Sequence, residues 1–543
     1  MTNSRYPRRL LIVPAVLAAV ATAFVVIPLI ALFAKMDKAS LQAVFTRDDL
    51  WTVLLRSATA SMITTVLSLT LAYFLAHSMH RTAMPGKKLL RMLLELPMLI
   101  PSVSIGMGVV LLFGNSGLVT GLLNLPLGQI YGLPGVVVGS LLYSLPVAFL
   151  MISNILRYED ASPYEAATVL GFSAWEQFKT ITLPYLRKPM IVAAFSIFTL
   201  SFTDYGVPLM VGGKYKTLPV VMYQEVIGQL NFGKGCVYGS MLLIPALVAF
   251  LVDFANQNNA NSTYVVKSFT LRKHPVRDVS AFLYSCVMAV FCMLPIFSFL
   301  VLAFVKKYPT DLSLTLDNIV RSMSMGGGKY LLNSLSIAFM VALIGSVLAV
   351  LTAYFTARHP GRMNKYLHLV CMSMAAVPGV VLGLAYVLFF KGTVLYGTLA
   401  ILVIVNTVHF FASPYLMMYT SFTKLNANLE SVAATLGISH FRLLKDVLLP
   451  RCWKTVREMF SYFFVNSMMT ISAVSFLANV RNKPIALMIN QYEAQAQMEF
   501  AAVVSLAILL ANLAVKLLMD AALAAGGRDN ISVVLVKDGE VAR

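Results

Sequence analysis

Charge is what this sequence has least of. Only 12% of the 543 residues are Asp, Glu, Lys or Arg, and 59% are hydrophobic, where a soluble domain carries roughly a quarter charged residues. That composition excludes an ordinary soluble protein and points to a polytopic membrane protein. Acids are the scarcer sign: 23 Asp and Glu stand against 42 Lys and Arg, a formal net charge of +19. In a soluble chain such an excess would indicate nucleic acid. Here the cations collect in short loops between apolar runs, where they set orientation in a membrane, so no nucleic-acid partner is expected. Cysteine pairs are missing too. Cys236, Cys286, Cys292, Cys371 and Cys452 form no Cys-x-x-Cys, and four of them lie within or at the ends of apolar segments. Buried free thiols are expected, with neither a disulfide framework nor a metal site. Gly86-Lys87-Lys88 and Gly213-Lys214-Tyr215 lack the spacing and the hydroxyl of a phosphate-binding loop, so ATP hydrolysis by this chain is not expected. The seven His are scattered, with no His-Glu-x-x-His or nucleophile elbow. No catalytic constellation is present, and an enzyme is not expected.

What is present is a series of apolar runs long enough to span a bilayer, which takes about 20 helical residues. The first, Leu10–Ala34, follows Arg5, Arg8 and Arg9 and is too long for the core of a cleaved signal peptide. Leu54–Met79, Leu93–Phe113, Leu133–Leu156, Pro189–Val211 and Cys236–Phe254 complete one set. Ala281–Val305, Leu332–Ala357, Leu367–Phe390, Leu395–Met418, Met459–Leu477 and Phe500–Met519 form a second. The sets are repeats. Pro101 and Gly106 match Pro378 and Gly383, Ala72-Tyr73-Phe74 matches Ala353-Tyr354-Phe355, and Pro146 matches Pro414. The predicted fold is an all-α polytopic membrane protein of about twelve transmembrane helices in two parallel six-helix repeats, residues 1–254 and 281–520. Six spans per half put the pseudo-symmetry axis along the membrane normal. A polar linker, 255–280, joins the halves, and a tail, 521–543, follows them. With a cytoplasmic N-terminus, the inner segments hold about twice as many Lys and Arg as the outer ones. Linker, tail and C-terminus then also lie in the cytoplasm.

One short stretch occurs twice in these inner segments. Ser162-Pro163-Tyr164-Glu165-Ala166-Ala167-Thr168-Val169-Leu170-Gly171-Phe172-Ser173 ends at Leu183-Pro184, and Asn428-Leu429-Glu430-Ser431-Val432-Ala433-Ala434-Thr435-Leu436-Gly437-Ile438-Ser439 ends at Leu449-Pro450 with the same Gly-to-Pro distance. The pattern predicts a short helix, a left-handed turn at the Gly, and a second helix. Ser162 with Glu165 and Ser173 with Glu176 read as capping boxes, with Pro163 at the first helical position. Asn428 and Ser439 take the cap positions of the second copy. A helix of about eight residues is marginal in water on its own, so both loops call for a docking partner.

Glu-Ala-Ala, three residues, Gly and the closing hydrophobic-x-Leu-Pro resemble the cytoplasmic loop of the membrane subunits of ATP-binding-cassette importers. The resemblance covers nearly everything from residue 50 to 520. It implies that each short helix is a coupling helix seated in a groove of an ATPase subunit, through Glu165, Ala166, Ala167, Gly171 and Pro184 in one repeat and Glu430, Ala433, Gly437 and Pro450 in the other. Ser431 stands where the family has its Glu, with Glu430 one place earlier. Glu165 has two roles open to it, completing the cap and docking directly. The implied partners are two ATPase subunits (a homodimer), an extracytoplasmic solute-binding protein and membrane lipid. ATP and magnesium would sit on the ATPase and no cofactor on this chain.

Pro101 with Gly106, and Pro378 with Gly383, break apolar spans; they serve as packing kinks or as walls of a translocation path. Asp204, an acid late in the fifth span, and Asn466 in the eleventh are further path candidates. Against them stand an interfacial Asp204 bonded to a local hydroxyl and an Asn466 that joins helices. Phe202–Phe232 and Met469–Leu477 resemble the branch that handles ferric iron and 2-aminoethylphosphonate, with phosphonate favoured. Fused thiamine permeases are similar in layout. A secondary transporter would place charges deep in several spans, and Asp204 is nearly alone there. The end of the chain, Ala522–Val536, resembles the last turn and strand of metal-dependent serine/threonine phosphatases, with Asp529 at a metal-ligand position. So short a piece can neither fold alone nor hold a metal. Single cysteines at Ser173 and Ser439 are expected to resist a membrane-impermeant thiol reagent in intact cells, and labelling from outside would overturn the topology.

Overall fold

A computed structural model describes residues 8–123, 130–256, 267, 269–271, 273–359 and 361–526. The front of the linker and the tail around Asp529 lie outside them. The principal helices are α1 (Arg8–Ala34), α2 (Leu50–Arg81), α3 (Ser102–Phe113), α4 (Leu133–Arg157), α5 (Leu183–Thr203) and α6 (Phe232–Asn256) in the first half. The second half has α7 (Pro275–Phe304), α8 (Gly328–Arg358), α9 (Gly379–Phe390), α10 (Leu399–Phe410), α11 (Trp453–Met469) and α12 (Met498–Gly526). Among the described residues nine helices are long and apolar enough to cross a membrane, or up to 11 if each of two bent pairs is one span. A small antiparallel hairpin, Val305–Lys307 with Asp311–Leu314, is the strand structure described. The protein is an all-α polytopic membrane protein.

Prolines set where the helices break. Ile100 and Val377 precede Pro101 and Pro378 and are held extended (φ −123°, ψ 150° and φ −101°, ψ 107°), because the following ring disfavours a helical conformation. Each proline then starts a buried helix, α3 or α9. In the second half Arg362–Ala376 meets α9 at 111°. Leu399–Phe410 and Ala412–Thr423 bend by 53° beside Pro414, whose missing N–H leaves the Phe410 carbonyl without its helical donor.

Two span boundaries differ from the sequence reading. The fifth span, expected to reach Val211, stops at Thr203 and resumes as the short helix Gly206–Val211. The eleventh, expected to reach Leu477, stops at Met469. Apolar residues continue past both stops, so hydropathy alone gives no sign of the break.

The halves interlock rather than sit side by side. The α1 helix packs on α9 and on Arg362–Ser373 of the second half, while α7 packs on α3 and on Lys87–Glu95 of the first. Tyr386 of α9 donates its hydroxyl to the Phe24 carbonyl of α1 at 2.7 Å. Gly106 and Gly108 make close crossings possible. A Cβ at Gly106 would lie 2.9 Å from Met210 Cβ, and one at Gly108 2.6 Å from Pro295 Cβ. Gly383 plays the same part beside Ala473, whose carbonyl would be 2.6 Å from a Cβ. Gly108→Leu is expected to force α3 and α7 apart and lower stability by about 1–3 kcal/mol. A melting temperature in detergent equal to that of the parent would show that the crossing has slack.

Candidate functional site

The two repeated loops fold alike, and local chemistry explains why. Ser162–Val169 and Leu429–Thr435 form the short helices. Gly171 (φ +80°) and Gly437 (φ +67°) then enter the left-handed region. Phe172 N–H bonds the Ala167 carbonyl at 2.9 Å and Gly171 N–H that of Thr168 at 3.1 Å; Ile438 and Gly437 do the same to Ala433 and Ala434 at 2.8 and 3.2 Å. This double closure satisfies the last carbonyls of each helix. Ser173 and Glu176 form the expected capping box, and Ser439 accepts from Arg442 N–H. Each loop ends in a wide turn, Phe178–Thr182 or Leu444–Leu448, where Leu183 and Leu449 bond five residues back. Pro184 and Pro450 follow directly.

The other expected capping box is not there. Ser162 donates N–H and Oγ to Asp160 Oδ1, at 3.1 and 2.9 Å, and those bonds hold the Asp160 carboxyl below its usual range. Glu165 instead pairs with Lys267 of the linker at 2.5 Å. Asn428 makes no side-chain cap bond either. Glu430 is held by Arg358, whose Nε and Nη2 reach its two oxygens at 2.6 and 2.5 Å. Beside that pair His359 faces His440 with ring centroids 5.4 Å apart, and burial pushes its imidazole down to about 4.

Ala167 and Ala433 are buried under their loops, whereas Ala166 and Glu165 are exposed. The outer faces are unusually apolar. Val169 (87% exposed), Leu170 (73%) and Trp175 (66%) line one, and Leu436 (66%) and Phe441 (72%) the other. Exposed patches of this kind, rimmed by polar groups, mark protein contacts.

The second feature is a cavity of about 350 Å³ between the halves, lined by Tyr143, Thr199, Asp204, Pro378, His409 and Ser472 among others. A smaller space of about 110 Å³ adjoins it, sharing Tyr143, Asp204, His409 and Ser472 and adding Pro101 and Asn466. The structure thus brings Pro101, Asp204, Pro378 and Asn466 together. Gly106 and Gly383 line neither space; Gly106 sits at a helix crossing and Gly383 against the turn that follows α11. Sequence reasoning missed Tyr143, Ser472 and His409. An imidazole in an apolar run was the available sign for His409.

Asp204 stands where α5 breaks. Its Oδ1 accepts from Ser102 Oγ at 2.7 Å and from Gly206 N–H at 3.2 Å, and its Oδ2 from Val207 N–H at 3.0 Å. It therefore caps Gly206–Val211, a structural duty, while also facing the cavity. Beyond it, on the side away from the loops, Tyr205 stacks on Tyr223 at 4.9 Å and bonds Ser475 at 2.8 Å. Toward the loops, Asp253 lines both the central cavity and a wider one of about 930 Å³ bounded by Pro184, Arg187 and Lys188. Among the described residues no group of three or more His, Cys, Asp or Glu could hold a metal ion.

Comparison with known proteins places this architecture. A ferric transport system permease protein of Actinobacillus pleuropneumoniae is 26% identical over 80% of this chain, and the match spans 66% of that relative's length. A thiamine transport system permease protein of Haemophilus influenzae is 24% identical over 80% of each chain. A molybdenum transport system permease protein of Escherichia coli is 28% identical, with 93% of it matched by 38% of this chain. The family described as binding-protein-dependent transport system inner membrane component matches twice, over residues 68–258 and 345–523. Each match takes in one of the repeated loops and one wall of the cavity, and together they cover most of the sequence, so the chain belongs to the binding-protein-dependent transport system inner membrane components.

Proposed function

We propose that this chain is the membrane subunit of an ATP-binding-cassette importer, with the cavity at Asp204 on its translocation path and the loops at Gly171 and Gly437 as the contacts to ATPase subunits. In this reading both loops face the cytoplasm, a homodimeric ATPase supplies ATP and magnesium, and an extracytoplasmic binding protein delivers the solute. The apolar outer faces of two alike loops support the docking role. The stacked Tyr205 and Tyr223 on one side, and the wide space at Pro184 on the other, support a path open toward the loops.

The lining of the central cavity carries the reading of the solute. Among its described residues it includes the Asp204 carboxylate and no Lys or Arg. Low-dielectric walls strengthen a field of one sign, so a cationic solute is favoured and a bare phosphonate disfavoured. Ferric ion and thiamine, named for relatives of this chain, both carry positive charge. The amine of 2-aminoethylphosphonate satisfies the same field, but that solute rests only on the resemblance of Phe202–Phe232 and Met469–Leu477. A self-sufficient secondary transporter fits less well with a binding-protein-dependent family.

Two experiments test these roles. No atom lies within 4 Å of a Cβ built at Gly171 or Gly437, so Val there is opposed by backbone strain alone, about 1–3 kcal/mol. Gly171→Val and Gly437→Val are expected to weaken co-purification of the ATPase or uncouple it from uptake. Normal transport by both variants in an intact complex would remove the loops from coupling. Asp204→Asn keeps shape and removes charge; uptake of a cationic solute is expected to fall about tenfold, or ~1.4 kcal/mol, with normal insertion and unchanged basal ATPase activity. Wild-type uptake across a range of ferric or thiamine concentrations would leave Asp204 as a helix cap alone.

A further inference from the structure

The two loops are alike in backbone and unlike in what holds them. In the second half the brace comes from the same repeat. Arg358, at the end of α8 and 5% exposed, grips Glu430 and also donates to the carbonyls of Phe422, Leu425 and Asn426 at 3.2, 2.9 and 2.7 Å. The first half builds its own ion pair elsewhere, with Arg81 at the end of α2 against the buried Glu159, and places neither partner on the short helix. Matching Ala72-Tyr73-Phe74 to Ala353-Tyr354-Phe355 puts His77 in the place of Arg358, and matching Gly171 to Gly437 puts Tyr164 in the place of Glu430.

The linker supplies a hold on the short helix itself. Lys267 joins the first loop three times. Its Nζ meets Glu165 at 2.5 Å, its N–H donates to Asp160 at 3.1 Å, and its carbonyl accepts from Ala161 N–H at 3.0 Å. Phe269 then packs edge-on against Tyr164, with ring centroids 5.3 Å apart, and lies under the Arg81 guanidinium. Arg81 pairs with Glu159, and the Tyr164 hydroxyl bonds Glu159 and Thr182. One cluster thus ties the linker to the end of α2, the start of the short helix and the turn that leads into α5.

We propose that Lys267 and Phe269 are positioning residues for the first loop, extending the Arg81–Glu159 pair from the inter-repeat linker to the short helix, which in the second loop Arg358 holds from within its own repeat. The described part of the linker is then a working part of the first coupling loop. The proposal rests on the reading of these loops as ATPase contacts.

The test uses the full transporter with its ATPase. Spin labels at Thr168 and Thr435 report the mobility of each loop. Phe269→Ala is expected to loosen the label at Thr168 and leave that at Thr435 unchanged, and to lower solute transported per ATP by about fivefold, the low end of coupling between sites. Lys267→Glu and Glu165→Lys are each expected to impair coupling, and the double variant to recover it. Equal mobility changes in both loops, or none, would overturn the proposal, as would a double variant no better than the singles, since Glu165 would then act on the ATPase itself. Arg358→Ala separates the two levels. If it lowers transport while Lys267 and Phe269 variants do not, the linker brace is lost and the coupling reading stands; if loosening either loop leaves transport intact, the coupling reading falls.

Discussion

Everything at the centre of this protein depends on how a broken backbone is satisfied inside a membrane. Where α5 stops at Thr203, the chain must restart as Gly206–Val211 with no water to take the freed N–H groups, each of which costs several kcal/mol if left bare in hydrocarbon. The Asp204 carboxylate meets the Gly206 and Val207 N–H groups and takes a third bond from Ser102. That arrangement lets a span stop partway and opens space beside it. The same acid that repairs the break also faces the cavity, so on the path we propose one group would serve both as helix cap and as wall.

The two halves solve the break differently, which shows where pseudo-symmetry ends. Ser102 lies against Gly206, and a Cβ on that Gly would come within 2.4 Å of the Ser oxygen. Across the axis Gly379 lies against Ser472, with 2.3 Å for the same test. Hydroxyl and glycine have changed places between the breaking helix and its neighbour, so each crossing keeps its close approach. Thr470 holds the position that Asp204 holds in the first half, and the acid is not repeated. The cavity therefore has its acid on the first-half wall, and His409 stands on the other.

Much of this was legible in the residues, and the limits have physical causes. The spans, the repeat and both Gly turns follow from apolar run length and from local chemistry that needs no tertiary context. Gly171 and Gly437 take the positive φ that the pattern demanded, and Ser173 with Glu176 caps as read. The box at Ser162 and Glu165 failed because a better partner for Glu165 arrives from Lys267, about a hundred positions along the chain. No local pattern records such competition. The ends of α5 and α11 were misplaced because hydropathy measures transfer to lipid and is blind to a break in apolar sequence. Tyr143 and His409 joined the cavity only once helices from both halves were packed.

Fusion of the halves makes the remaining asymmetry intelligible. Two separate chains would each have to brace a loop with their own residues, as Arg358 does with Glu430. A single chain brings its connecting segment past the first loop, where the Lys267 backbone and the Phe269 ring add to the Arg81–Glu159 pair. An exposed pair such as Lys267 with Glu165, each about half exposed, contributes at most about 1 kcal/mol. The brace must therefore draw mainly on the Ala161–Lys267 backbone bond and on the aromatic contacts around Arg81. Six residues after Phe269 the chain enters α7 at Pro275, a helix that packs against α3 of the first half.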